Sequence, residues 1–459
     1  MNMTSLPLPP MPLLSLTSPA TVEKCESFRL RPSDVFVCSY PKSGTTWTQH
    51  IVVSLIVADR RQQQQQKQER VHGGDGDGNG NDDILSYDHI SDFAPFFEID
   101  AHWEPSSSHD NSENNSLVAE FIRKNHDRLN RRIFNTHLRW DMLPKLSEQQ
   151  QQPDDSATTS LSSKLMQNRN IMKPSCGKFI YVIRNLPDVC ASFYHHLSNQ
   201  KEGRYTSDFT TFCHEWMDGS TIPFGSPLHH LLSFAEGFCD NRYATATLAT
   251  SMVVGLEPAA GEDAPAATEQ QCTDNNTINI NTHRCKDMHH THHQHQPPLL
   301  LLSYEKLKSN LRQEVLRIID FLGLDHISMQ VLDEELLPTF DFAYMKEHAH
   351  IFQPKSVTWL NQFQFLRKGE IGDGTKMFET TTTTTTTTSG TGATTTAATT
   401  TATTDDKTVR STTDEDEEIP LMVKFRDWVN REEYCHKISE LESRGLTREA
   451  SEQFREVVN

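Results

Sequence analysis

The sequence predicts an α/β fold: a single domain with a central parallel sheet flanked by helices, interrupted by low-complexity inserts. Three observations carry this. Apolar runs at Val35–Cys38, Arg132–Asn135, Phe179–Ile183 and Leu299–Ser303 alternate with helix-like stretches, the order that a parallel sheet covered by helices requires. Each run is followed at once by polar residues, namely Ser39–Thr46, Thr136–His137, Arg184–Asn185 and Tyr304–Glu305. Ligands of open α/β sheets lie beyond the carboxyl ends of the strands, so four polar ends point to one site. Finally, the parts that break this alternation are compositionally unable to form a core of their own.

Those parts are residues 1–20, 60–83, 149–163, 244–296 and 380–404, which are rich in Leu and Pro, Gln and Gly, Gln, Ala/Thr/Asn/His and Thr respectively. None buries enough apolar area to offset the entropy of ordering it. Setting them aside leaves roughly 300 of the 459 residues, the size of one α/β domain. The expected organisation is a flexible leader at 1–27, the domain at 28–437 with the other four stretches as disordered inserts, and a C-terminal helical tail at 438–459. Residues 1–20 carry no charge, unlike the positively charged start of a secretory signal. A formal net charge of −19 excludes a general nucleic-acid surface. Its acids gather in inserts and at Asp405, Asp406 and Asp414–Glu418, which read as solvated. Nine scattered cysteines without a C-x-x-C pair fit a reducing compartment. No apolar run has the length of a membrane span, so a cytoplasmic location without a membrane partner is expected.

The first element ends in Tyr40-Pro41-Lys42-Ser43-Gly44-Thr45-Thr46-Trp47, followed by an apolar-rich stretch, Thr48–Ala58, with the reach of a helix. A buried strand, a turn with one glycine and a helix N-terminus present backbone N–H groups to an anion. Lys42 adds charge, Thr45 and Thr46 add hydroxyls, and Trp47 adds a ring on which a base can stack. In the nucleoside-triphosphate loop the lysine follows the second glycine; here it precedes Gly44. The strand at 299–303 ends in Ser303 and Tyr304 with no acid to hold magnesium. The expected chemistry is therefore phosphate binding with no metal. The order P-K-S-G-T-T-W resembles the 5'-phosphosulfate loop of the soluble, cytosolic-type sulfotransferases, which take a sulfuryl group from 3'-phosphoadenylyl sulfate (PAPS).

The second element gives Arg132-Ile133-Phe134-Asn135-Thr136-His137-Leu138. Alone, a histidine after a strand is more often structural. This segment resembles the family's K-T-H-L, whose histidine deprotonates the acceptor, a task imidazole suits. Asn135 stands where the family has lysine. The third element gives Arg184-Asn185-Leu186-Pro187-Asp188-Val189-Cys190-Ala191-Ser192. A strand-tip arginine is costly unless it meets an anion, with a staple to Asp188 as the plain alternative. The spacing matches the family's 3'-phosphate motif, R-N-x-x-D-V-x-x-S. After the fourth element, Tyr304-Glu305-Lys306 resembles Y-E-D, and Phe342 and Met345 resemble the S-F-x-x-M segment. Arg367-Lys368-Gly369-Glu370-Ile371-Gly372-Asp373 resembles the R-K-G-x-x-G-D-W lid, with Gly374 in place of tryptophan. Phe96 and Phe97 fall in the family's aromatic substrate loop, or else in the core. Phe224 falls in its V-P-Y-G-S stretch, with Pro227 where tryptophan is usual.

The resemblance implies a domain related to the P-loop-containing nucleotide hydrolases with PAPS as co-substrate. Lys42, Ser43, Gly44, Thr45 and Thr46 would hold its 5'-phosphate. Arg184, Ser192, Arg367, Lys368 and Gly369 would hold the 3'-phosphate, with Trp47, Tyr304 and Phe342 on adenine. His137 and Lys42 would be catalytic, and Phe96, Phe97 and Phe224 would meet a small hydroxyl or amine acceptor. A homodimer is compatible with it. Two alternatives stand beside this: a non-catalytic binder of PAPS or of its product adenosine 3',5'-bisphosphate (PAP), and an ATP-dependent small-molecule kinase. The histidine-rich run 283–295 reads as insert rather than metal site.

Overall fold

The computed structural model describes residues 8–72, 88–103, 113–144, 177–239, 299–385 and 419–459. The histidine-rich run and most of the inserts lie outside the described residues. In chain order the elements are α1 (Pro19–Glu26), β1 (Val35–Ser39), α2 (Thr45–His72), α3 (Glu113–Leu129), β2 (Ile133–Thr136) and β3 (Lys178–Ile183). Then come α4 (Leu186–Ser198), α5 (Phe209–Asp218), α6 (Pro227–Phe238), β4 (Leu299–Ser303), α7 (Tyr304–Ser309) and α8 (Leu311–Leu322). The chain closes with α9 (Phe342–Glu347), α10 (Ala349–Phe352), α11 (Asp373–Thr385), α12 (Leu421–Arg431), α13 (Tyr434–Ser443) and α14 (Arg448–Glu456).

The sheet has four strands in the order β2-β1-β3-β4, all parallel. Val35 pairs with Ile133 and Lys178, and Phe179 with Leu299. This register brings Ser39, Thr136, Ile183 and Ser303 to the same end of the sheet. Both faces are covered, which is why the strands read as unbroken apolar runs. Alternate residues of β1 divide between two cores. Val35 and Val37 pack with Ile180, Val182 and the apolar side of α2 and α8. Phe36 and Cys38 face Phe179, Tyr181 and the helices that follow. Among the described residues no helix is long and apolar enough to cross a membrane.

Three boundaries differ from the sequence expectation. The leader is not loose from Leu8 onward: Met11, Leu13 and Leu14 pack on the core, and α1 buries Cys25. Arg139 donates to the Pro9 carbonyl, Phe224 N to that of Pro12 and Asp100 N to that of Leu16. Its leucines find a ready-made apolar surface, so it needs no core of its own. The glutamine run is likewise helical where it starts, as α2 continues to His72. There Arg61 meets Glu335 at 3.0 Å and Gln62 accepts from Ser328 N. The C-terminal segment, read from the sequence as a tail, is part of the core: Ile438, Leu441 and Phe454 are buried, and Leu186 N donates to the Val457 carbonyl.

Candidate active site

At the strand tips a cavity of about 270 Å³ is walled by the loop after β1, the start of α4, the start of α7 and residues 340–373. Of the residues singled out in the sequence, Lys42, Gly44, Thr45, Thr46, Trp47, Phe96, His137, Arg184, Ser192, Phe224, Tyr304, Phe342, Arg367, Lys368 and Gly369 all line it. Two do not. Ser43 is buried beneath the loop, outside the cavity wall. Phe97 lies in the core, its ring 5.1 Å from Phe28, 5.0 Å from Phe36 and 5.1 Å from Phe134. Adjacent residues in an extended segment point to opposite sides, so Phe96 faces the cavity and Phe97 does not.

The loop after β1 is tightly turned. Lys42 has φ 70° and Gly44 φ 108°, and a Cβ on Gly44 would lie 2.8 Å from the Tyr304 ring. That glycine thus serves both the backbone conformation and the close approach of the ring. It opens α2, whose first-turn N–H groups at the cavity suit an anion. Arg184 crosses the cavity floor with its guanidinium 4.3 Å over the Tyr304 ring. It donates to the carbonyls of Lys42 (3.3 Å) and Glu370 (3.0 Å) and stands 3.6 Å from Asp188. The staple to Asp188 therefore exists, yet Arg184 Nε is buried with no partner among the described residues. An unmatched donor on a buried cation fits an anion that completes it.

Asp188 is a residue that sequence reasoning treated only as a staple. Its carboxylate accepts from Gly372 N (2.9 Å) and Gly374 N (2.7 Å), pinning the 367–374 loop to the first turn of α4. A Cβ on Gly374 would fall 2.0 Å from the Pro187 oxygen, so no side chain fits here. The missing tryptophan is thus replaced by direct backbone docking. Within the loop, Arg367 and Lys368 both pair with Asp373 at 2.5 Å. Gly369 sits against the Phe342 ring, where a Cβ would meet it at 2.7 Å. Trp47 donates from Nε1 to the Phe340 carbonyl and packs edge-on to Tyr304. Three aromatic side chains and two cation-bearing loops therefore meet in one cleft.

His137 stands at the other end. Its Nδ1 lies 2.8 Å from the Ser39 carbonyl, which fixes the proton on Nδ1 and leaves the Nε2 lone pair free. Burial, followed by the Lys42 charge, lowers its pKa to about 4 against the opposing Ser39 bond. It is therefore neutral at physiological pH. The rings of Phe96 and Phe224 flank it at 5.3 and 5.2 Å. Buried Glu98 accepts from His137 N at 2.8 Å, and burial lifts its carboxyl to about 7. Lys42 is pushed down to about 7 by burial and by the neighbouring Arg184 and Arg367. Asn135, by contrast, donates to the Ala94 carbonyl and is not part of the cavity wall. Unforeseen contributors include Glu98, Leu14, Leu16, His196 and Phe365. Of these five, His196 carried a signal, its four-residue step from Ser192.

An anion cradle at a strand-to-helix turn, a second cationic loop, aromatic faces and a neutral histidine thus line one cavity at the strand tips. A model of the sulfotransferase domain matches residues 32–152, 148–246 and 282–386, and the chain belongs to the sulfotransferase domain family. It is 29% identical to luciferin sulfotransferase of Photinus pyralis over 216 residues, 47% of this chain and 45% of that protein, thus spanning less than half of that relative. Against rat sulfotransferase 1E1 it is 22% identical over 359 residues, 78% of this chain and 81% of the relative. Among solved structures, mouse sulfotransferase SULT7A1 complexed with PAP matches at 17% identity and TM-score 0.40, covering 82% of this chain and 92% of that one. Retinol dehydratase in complex with retinol and PAP matches at 17% identity and TM-score 0.42, covering 80% and 84%.

Proposed function

We propose that this chain transfers a sulfuryl group from PAPS to a hydroxyl or amine of a small acceptor and releases PAP. The observation that carries the reading is the tautomer of His137: Nδ1 is committed to the Ser39 carbonyl, so Nε2 is a base facing the cavity that Lys42 also enters. His137 takes the acceptor proton as the new bond to sulfur forms. Lys42 offsets the charge that appears on the bridging oxygen as its bond to sulfur breaks. Gly44, Thr45 and Thr46 hold the 5'-phosphate end, while Arg184, Ser192, Arg367, Lys368 and Gly369 hold the 3'-phosphate. Trp47, Tyr304 and Phe342 supply the faces for adenine, and Phe96 and Phe224 the walls of the acceptor end.

The test is turnover of PAPS with a panel of phenols, alcohols and amines, run on the wild type and on His137→Ala. Sulfated product from the wild type alone supports the proposal. One observation favours a second reading, a non-catalytic nucleotide binder: Asn135 supplies no cation and donates to the Ala94 carbonyl instead of lining the cavity. Tight PAP binding with no product from any acceptor would decide for that reading.

A further inference from the structure

His196 has no part in the transfer chemistry described above. It follows Ser192 by four residues and Asp188 by eight, so all three line the cavity from one face of α4. Its Nδ1 lies 3.5 Å from Lys42 Nζ. The imidazole packs edge-on to Trp359 (5.2 Å) and Phe365 (6.0 Å), and the Lys42 ammonium sits 4.2 Å over the Phe365 ring. An ammonium only donates, so the contact requires a lone pair on Nδ1 and places the ring proton on Nε2. Burial, then the Lys42 charge, holds the His196 pKa well below its usual value, which keeps that lone pair available.

Arg184 stands beside Asp188, and Arg367 and Lys368 pair with Asp373, while Lys308 lies over the Phe342 ring 5.8 Å from its centroid. Lys42 has no such ion pair among the described residues. Asn135 is turned to the Ala94 carbonyl, so β2 lends no second cation. A lone lysine on a flexible stem therefore carries the whole task at the bridging oxygen, and its aim matters.

Resting on the function proposed above, we infer that His196 is a positioning residue that orients the Lys42 ammonium toward the transferring group through a hydrogen bond accepted at Nδ1. A neutral acceptor aligns the lysine without cancelling its charge, which a carboxylate in the same place would do. The groups that face Lys42 are Arg184, Arg367, His137 and His196.

The experiment is a site-resolved titration of Lys42 in the full chain, by trace acetylation with acetic anhydride across pH and peptide mass spectrometry. Wild type is compared with His196→Phe, which fills the site without an acceptor, and His196→Asn, whose Oδ1 stands in for Nδ1. His196→Leu replaces the phenylalanine variant should that one fail to fold. Losing the acceptor is expected to lower the Lys42 midpoint and His196→Asn to restore it. In turnover, kcat is expected to fall about tenfold in His196→Phe and recover in His196→Asn, with PAP affinity held within about twofold. An unchanged midpoint in the phenylalanine variant, or a fall that asparagine does not recover, overturns the inference. If the wild type transfers no sulfuryl group, the proposed function fails, while the lysine titration still decides the contact.

Discussion

Asp188→Asn is the sharpest probe of how the 367–374 loop is held. The carboxylate accepts one bond from Gly372 N and one from Gly374 N, and it is the nearest anion to Arg184. Asparagine keeps one acceptor and turns an NH₂ group toward the other N–H. The change removes one charge-assisted hydrogen bond, worth roughly 1.5–3 kcal/mol, and strands a donor. Taking about 2–3 kcal/mol for the docking of residues 367–374, the affinity for a ligand that needs this loop should fall about 25- to 150-fold. The assay is titration calorimetry with PAP and with adenosine 5'-phosphate, which lacks the 3'-phosphate. The loss is expected for PAP and not for the monophosphate. Equal loss for both, or wild-type affinity for PAP, would refute the assignment of this loop to the 3'-phosphate.

Three further outcomes follow from the geometry. His137→Ala should lower kcat by about 10²- to 10⁴-fold with PAP affinity unchanged within about twofold, read by turnover and calorimetry. Gly374→Ala places a methyl 2.0 Å from the Pro187 oxygen; a loop forced off α4 should weaken PAP binding and lower the thermal midpoint. Stability should rise with pH between about 4 and 6.5. Burial holds His50, His126 and His137 at about 4 and His230 at about 3, all below 6.5, so the unfolded chain binds more protons in that window. Each contributes up to about 1.4 kcal/mol per pH unit. Glu98 acts in the opposite sense between 4.5 and about 7, because its folded pKa is raised, and Asp92 does so too, but the histidines held low outnumber these two carboxyls. Urea midpoints at pH 5 and 7 read the net sign, and a midpoint no higher at pH 7 would contradict it.

Much of this was legible because the chemistry is local in sequence. The strand Val35–Ser39 and its loop are contiguous, and a doubly covered strand must be apolar throughout, so β1 and the Lys42 turn declare themselves together. Arg184 and Ser192 share one strand-to-helix unit in the same way. What escaped was tertiary. Nothing in the charge-free leader shows that Leu14 and Leu16 will line the cavity. Phe96 and Phe97 are identical in type and differ only in the side of the chain on which they fall. Gly374 reads as the loss of an anchor, whereas its missing side chain is what lets two N–H groups reach Asp188. A buried carboxyl such as Glu98 gives no periodic signal, since its partner is the His137 N–H just beyond β2.

The claim that one nucleotide is held at both ends by the Lys42 turn and the 367–374 loop is tested most directly by a crystal structure of the chain with PAP. The 5'-phosphate is expected against the N–H groups of Gly44, Thr45 and Thr46, and the 3'-phosphate against Arg184 and Arg367, completing the unpartnered Arg184 Nε. A nucleotide bound with its 3'-phosphate in solvent, or outside this cavity, would contradict the account.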